Sequence, residues 1–257
     1  MARSRQETLR DLPGNATYHH ASEKKYDPLV VFVHFFGGSQ KHLFRHIRLI
    51  SEIGFDCVTF DLSDHRWRVP LSKIKRFGIE HVWADEVREV LAHFSDRPLI
   101  LFTFSNPSAS AMEAMTKPKV YKNILGMICD GGPFMDLLRC SWNLCKEEFK
   151  INNRGVRTIA TGGMFLLWSP LHEKYLNESL SKIPNGFPIL SIRAWKDKLV
   201  PVTSIDKVFE GHKNIDLEVL DIPNAEHLTG LRDSPESYHD RIESFLTRLT
   251  TKSSRVR

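Results

Sequence analysis

The stretch Arg97 to Ser110, RPLILFTFSNPSAS, decides how this chain is read. Its first half, Leu99 to Phe104, is a continuous apolar run of strand length, the pattern of a strand buried on both faces. Its second half begins a helix. Pro107 suits an early helical position, where a backbone N–H is not needed, and the small residues after it continue the helix. Ser105 therefore falls on the tight turn between strand and helix. A hydroxyl there stands above the sheet, and the helix amino terminus behind it favours developing negative charge.

Outward from this stretch the same alternation repeats. Pro28 to His34 (PLVVFVH) reads as a buried strand, and Ser39 to Ile53 as a helix with Leu43, Ile47 and Ile50 on one face. Phe55 to Phe60 is the next strand. Ile79 to Phe94 has the apolar spacing of an amphipathic helix. A helix over Pro107 to Met115 precedes a strand at Asn123 to Cys129. Later strands fall at Phe187 to Arg193 and Leu217 to Ile222, and a last helix starts at Ser234 with Pro235 as its first residue and runs to Leu249. Continuous apolar strands, each followed by a helix, predict an α/β fold with a mostly parallel sheet covered on both faces.

One interval breaks the rhythm. Phe134 to Asn185 puts about fifty residues between two consecutive strands, far more than one crossover requires. It carries helical patterning and an apolar run, Met164 to Trp168 (MFLLW). Such an insertion reads as a helical cap over the carboxyl ends of the strands, where open α/β sheets bind ligands. Inside a cap, MFLLW suits both core and groove. The predicted organisation is a tail with leading strand (1–27), a core (28–133 and 186–250), a cap (134–185) and a second tail (251–257).

Composition removes several functional classes. Of a net charge of +5, +2 lies in residues 1–10 and +3 in residues 251–257, so the body is neutral. A nucleic-acid partner would need a basic face on the body, and none is expected. The two basic tails suit, at most, peripheral contact with an anionic membrane surface. At 41% hydrophobic and 26% charged the chain is too apolar for disorder, and a chain of this length buries roughly three quarters of its unfolded surface. No apolar run is long enough to cross a bilayer, and MARSRQETLR has no signal-peptide apolar run, so a cytoplasmic protein is expected. Cys57, Cys129, Cys140 and Cys145 lack CxxC pairing and suit buried free thiols. His42 and His46 have the i, i+4 spacing of a two-histidine metal site, but Leu43 stands where HExxH has glutamate. A solvated helix face is the reading for that pair, and neither metal nor cofactor is expected. His19-His20 and Asp64-His65 read as loop or edge residues.

Two further segments share the position of Ser105 at the end of a strand. Asp197 follows strand FPILSIR in Ala194-Trp195-Lys196-Asp197-Lys198-Leu199-Val200-Pro201, and His227 follows strand LEVLDI in Pro223-Asn224-Ala225-Glu226-His227. His34-Phe35-Phe36-Gly37-Gly38 ends the first long strand. The order Ser, Asp, His on strand ends resembles the α/β-hydrolase superfamily over residues 28–250. The segment His227 to Leu246, with the Ser105-Asn106 pair, is also similar to a branch of that superfamily with serine-asparagine at the nucleophile elbow. Thr103 and Pro107 stand where that elbow usually has glycines.

The resemblance implies a triad in which Ser105 is the nucleophile, His227 its general base and Asp197 the acid that orients the imidazole. Asp130, after strand NILGMIC, is the alternative acid. The backbone N–H groups of Phe36 and Asn106 would form the oxyanion hole. The implied activity is that of a serine hydrolase acting on a small-molecule ester or thioester with an apolar part, the apolar preference following from the cap. Other readings stand beside it: Ser105 as a helix N-cap, Asp197 as a cap of the following helix, and the whole chain as a non-catalytic protein that binds a ligand or partner through its cap.

Overall fold

The computed structural model describes residues 12–63, 77–116 and 122–254. The Asp64-His65 pair, residues 1–10 of the first basic tail and residues 255–257 of the second lie outside the described residues. Seven strands form one sheet: β1 (Thr17–His19), β2 (Leu29–Val33), β3 (Cys57–Thr59), β4 (Leu99–Phe104), β5 (Ile124–Asp130), β6 (Phe187–Ala194) and β7 (Ile215–Ile222), in the spatial order β1-β3-β2-β4-β5-β6-β7. β1 pairs antiparallel with β3, and every other pair is parallel. This is the doubly covered, mostly parallel sheet that the apolar strands predict.

Alternate strand residues feed two cores. Leu29, Val31 and Val33 of β2 join the core under α2 (Ile79–His93) and α3 (Pro107–Met115). Val30 and Phe32 point the other way, into the core under α1 (Phe44–Ile53) and the carboxyl-terminal helix. All five of these β2 side chains are fully buried, each contributing roughly 1.5–3 kcal/mol over the exposed state. The predicted helix over Ser39–Ile53 is two pieces: a 3₁₀ turn at Gln40–Leu43, then α1. Side chains cap the start of the turn, the Ser39 N–H donating to His42 Nδ1 (3.0 Å) and the Gln40 N–H to Asp61 (2.7 Å). His19 lies on edge strand β1 with its ring against Thr59 Oγ1.

Between β5 and β6 the long interval folds as three helices, α4 (Leu137–Glu147), α5 (Arg154–Trp168) and α6 (His172–Lys182). After β6 comes α7 (Val202–Phe209), and after β7 the single turn α8 (Gly230–Asp233) leads into α9 (Pro235–Ser254). The four cysteines are buried free thiols. Among the described residues no helix is long and apolar enough to cross a membrane. Nor does any cluster of three or more His, Cys, Asp or Glu among them form a metal site.

Candidate active site

Ser105 leaves β4 with φ of +54°, in the left-handed region that a non-glycine residue enters at a cost of about 1–3 kcal/mol. The turn is held from the neighbouring strand, where the Asp130 carbonyl accepts the Ser105 N–H at 2.8 Å. Asn106 returns to helical dihedrals as the N-cap of α3, and Pro107 takes the first helical position. Ser105 is thus not itself the N-cap. Thr103 finds room because its hydroxyl turns sideways to donate to the Ile128 carbonyl (3.0 Å). The close approach comes from another strand: a Cβ on Gly132 would lie 2.2 Å from the Ser105 carbonyl oxygen. The glycine that makes space for the turn therefore stands in the loop after β5.

The three residues read from the strand ends meet here. The Ser105 hydroxyl donates to His227 Nε2 at 3.1 Å, and His227 Nδ1–H donates to Asp197 Oδ2 at 2.5 Å. The carboxylate at Nδ1 selects, for a neutral ring, the tautomer with its proton there, which leaves Nε2 to accept the hydroxyl. The Asp197 carboxylate is 2% exposed, and its other oxygen accepts the N–H groups of Leu199 (2.7 Å) and Val200 (2.8 Å). Those bonds orient the carboxylate at the imidazole and compensate its burial. An alcohol bonded to a neutral imidazole, backed by an oriented carboxylate, can give up its proton as it attacks an electrophile.

Asp130, the alternative acid, is engaged elsewhere: its carboxylate accepts the hydroxyl of buried Tyr238 at 2.7 Å. Burial pushes the Asp130 pKa up to about 6, against the Tyr238 hydrogen bond and the pull of His227. A raised folded-state pKa means that this carboxyl's contribution to stability is full below about pH 4 and is lost as the pH climbs to about 6. Asp130→Asn keeps an acceptor for Tyr238 and removes the charge. Its melting temperature is therefore expected to flatten over that window where wild type falls, as thermal unfolding at stepped pH would reveal.

The turn after β2 faces the same point. His34 is buried, donating through Nδ1 to the Phe35 carbonyl (2.8 Å) and accepting the Leu62 N–H at Nε2 (2.9 Å). Gly37, at φ of +74°, supplies the left-handed residue that the turn requires. The N–H groups of Phe36 and Asn106 are committed to no acceptor among the described residues. Phe36 packs its ring against Trp83 and Trp168, joining the turn to α2 and α5.

A cavity of about 680 Å³ opens over Ser105 and His227. Its walls are mainly apolar, with Phe36, Phe134, Leu137, Leu144, Met164 and Trp168 prominent, and the charged residues on its lining, Arg45, Glu148 and Arg232, are exposed. The MFLLW run is divided by the helical period: Met164 and Trp168 face the cavity, Phe165 packs on the core and Leu166 is exposed.

The solvated helix face expected for His42 and His46 holds for only one of them. His42 is exposed, but His46 is buried, with its ring edge-on to Phe102, Phe104 and Tyr238. Desolvation, aided by Arg45, pushes its pKa down to about 3, so it packs as a neutral ring. The shift from 3₁₀ turn to α-helix between the two histidines separates faces that a continuous helix would have shared. Gly131 and Gly132 escaped the sequence reading, although a Gly-Gly pair directly after a strand is itself a sign of close backbone approach.

Comparison with solved structures names this architecture. The chain superposes on an esterase of Pyrococcus furiosus with a TM-score of 0.64 at 18% identity, covering 97% of this chain and 96% of that one. MenH from S. aureus gives 0.63 at 13% identity over 91% and 98% of the two chains. A monoacylglycerol lipase of Paleococcus ferrophilus gives 0.60 at 14% identity over 91% and 98%. The chain has the α/β-hydrolase fold. No protein-family model matches the sequence, and no curated protein matches it.

Proposed function

We propose that the protein is a serine hydrolase that cleaves a carboxylic ester or thioester with an apolar acyl or alcohol part through an acyl-enzyme. The observation that carries this reading is the chain of hydrogen bonds from Ser105 through His227 to Asp197 at the floor of the apolar cavity. The esterase and lipase among the structural neighbours support it as analogy.

Ser105 Oγ attacks the carbonyl carbon while its proton passes to His227 Nε2. Asp197 stabilises the imidazolium that forms. The oxyanion is received by the N–H groups of Phe36 and Asn106, each such donor being worth roughly 3–4 kcal/mol in the transition state. His227 then protonates the departing alcohol or thiol, leaving the acyl group on Ser105. Water attacks that ester, gives a proton to His227 and releases the acid, and the proton returns to Ser105. The helices of residues 134–185 act as the cap, their apolar side chains binding the substrate's apolar part.

A fluorophosphonate probe is expected to label the wild-type protein covalently. Absence of labelling, together with no turnover of any ester offered, would favour the non-catalytic binding reading instead. The apolar cavity gives a second expectation. Across p-nitrophenyl esters of increasing acyl length, kcat/KM should rise about fourfold per methylene while the chain remains inside, the equivalent of ~0.8 kcal/mol per buried CH₂. A flat series would remove the apolar assignment.

A further inference from the structure

His172, the first residue of α6, sits against Glu80 in the first turn of α2, and both side chains are 1% exposed. Its ring meets two acceptors, Glu80 Oε2 at 2.9 Å from Nδ1 and the Phe134 carbonyl at 2.8 Å from Nε2. A neutral imidazole has one N–H and cannot donate to both. The pair therefore holds one proton more than a neutral ring beside a carboxylate would hold. A protonated ring donates to both at once, from Nδ1 to Glu80 and from Nε2 to the Phe134 carbonyl.

Phe134 lines the cavity and lies two residues beyond Gly132, which touches the Ser105 carbonyl. The entry to α4 is tied at three consecutive residues: the Phe134 carbonyl by His172, the Met135 N–H by the Ser204 carbonyl, and the Asp136 N–H by Glu173. We infer that His172 is a positioning residue, forming with Glu80 a proton-loaded clamp that fixes the Phe134 carbonyl and through it the cavity wall beside Ser105. The effect on catalysis rests on the hydrolase reading above; the clamp itself does not.

The other titratable and charged groups around the clamp are His81 on α2, paired with Glu113 of α3 at 2.6 Å, Glu173 on α6, and Asp136, which pairs with Lys207. Burial opposes the charged ring, but the Glu80 carboxylate and the bonds to Glu80 and Phe134 outweigh it and hold the His172 pKa above the ordinary 6.5. A raised histidine pKa stabilises the fold fully below that ordinary value, and the stabilisation is lost as pH rises through the folded-state value.

The test is hydrogen exchange by mass spectrometry of the segment 131–138, from about pH 6 to about pH 9, in full-length wild type, Glu80→Gln and His172→Phe. Glu80→Gln can donate a carboxamide N–H to Nδ1 while Nε2–H still holds Phe134, so the clamp persists without its extra proton. Relative to Glu80→Gln at the same pH, wild-type protection is expected to fall about tenfold across the range, and His172→Phe to show the wild type's lower, high-pH protection throughout. A Glu80→Gln protein as pH-dependent as wild type, or His172→Phe exchanging like wild type, overturns the clamp. If His172→Phe does not fold, the comparison of wild type with Glu80→Gln decides alone.

Ester KM and probe labelling in the same samples separate the two readings. KM that rises with pH in wild type but not in Glu80→Gln supports positioning, and KM indifferent to a clamp that does open overturns it. If no sample takes up probe while exchange follows the expected pattern, the hydrolase reading fails and the clamp stands.

Discussion

Ser105→Ala is expected to abolish fluorophosphonate labelling and to lower ester turnover by on the order of a millionfold, with the fold intact. The side chain removed is small, and the turn it occupies is held by backbone contacts to Asp130 rather than by its hydroxyl. His227→Ala should cost about as much, because a serine without its base is nearly as poor a nucleophile as none. The two changes combined should cost little more than either alone. The acid is separable. Asp197→Asn should lower kcat by about 10⁴, since a carboxamide can turn its N–H toward Nδ1 and stabilise the wrong tautomer. Asp130→Asn should stay within about tenfold of wild type, its carboxylate being bonded to Tyr238 rather than to the imidazole. Steady-state kinetics on one ester decides all four, and an Asp130 effect larger than that of Asp197 would exchange the two roles.

Much of this site was legible because each of its residues follows a strand that is itself conspicuous. β4 and most of β6 are buried on both faces, so they read as largely apolar runs, and a polar residue in the loop after such a run is easy to see. β1 has three residues at the sheet's edge, and α7 has eight, too few to establish a period. The contacts that sequence order hides are those made between distant segments. His172 and Glu80 are 92 residues apart, and nothing local to either signals the other. Thr103 and Pro107 look like an obstructed turn when the search for glycine stays on β4. The space is in fact made by Gly132, which belongs to the next strand's loop.

That displacement of the glycine has a large expected consequence. In Gly132→Ala the new Cβ would lie 2.2 Å from the Ser105 carbonyl oxygen, 2.4 Å from its carbon and 2.9 Å from its Cα. All three are backbone atoms of a turn already strained at φ of +54°, so no flexible side chain can move aside. Neither partner can retreat easily: the Ser105 N–H is bonded to the Asp130 carbonyl, and the loop's far end is tied at the Phe134 carbonyl. A loss of at least ~3 kcal/mol is expected, at the upper end for overpacking, which for a chain of this size lowers the melting temperature by roughly 6–12 °C. Gly162→Ala supplies the contrast. Gly162 lies within α5 with nothing within 4 Å of its would-be Cβ, so alanine there should be neutral or add up to ~1 kcal/mol of helix stability. Thermal unfolding of the pair reads the difference directly. Probe labelling of the folded Gly132→Ala fraction should also fall, because the clash pushes the turn that aims the Ser105 hydroxyl at His227. Equal melting temperatures for the two variants would mean that the loop after β5 does not press on the turn, and that Thr103 and Pro107 are accommodated by other means.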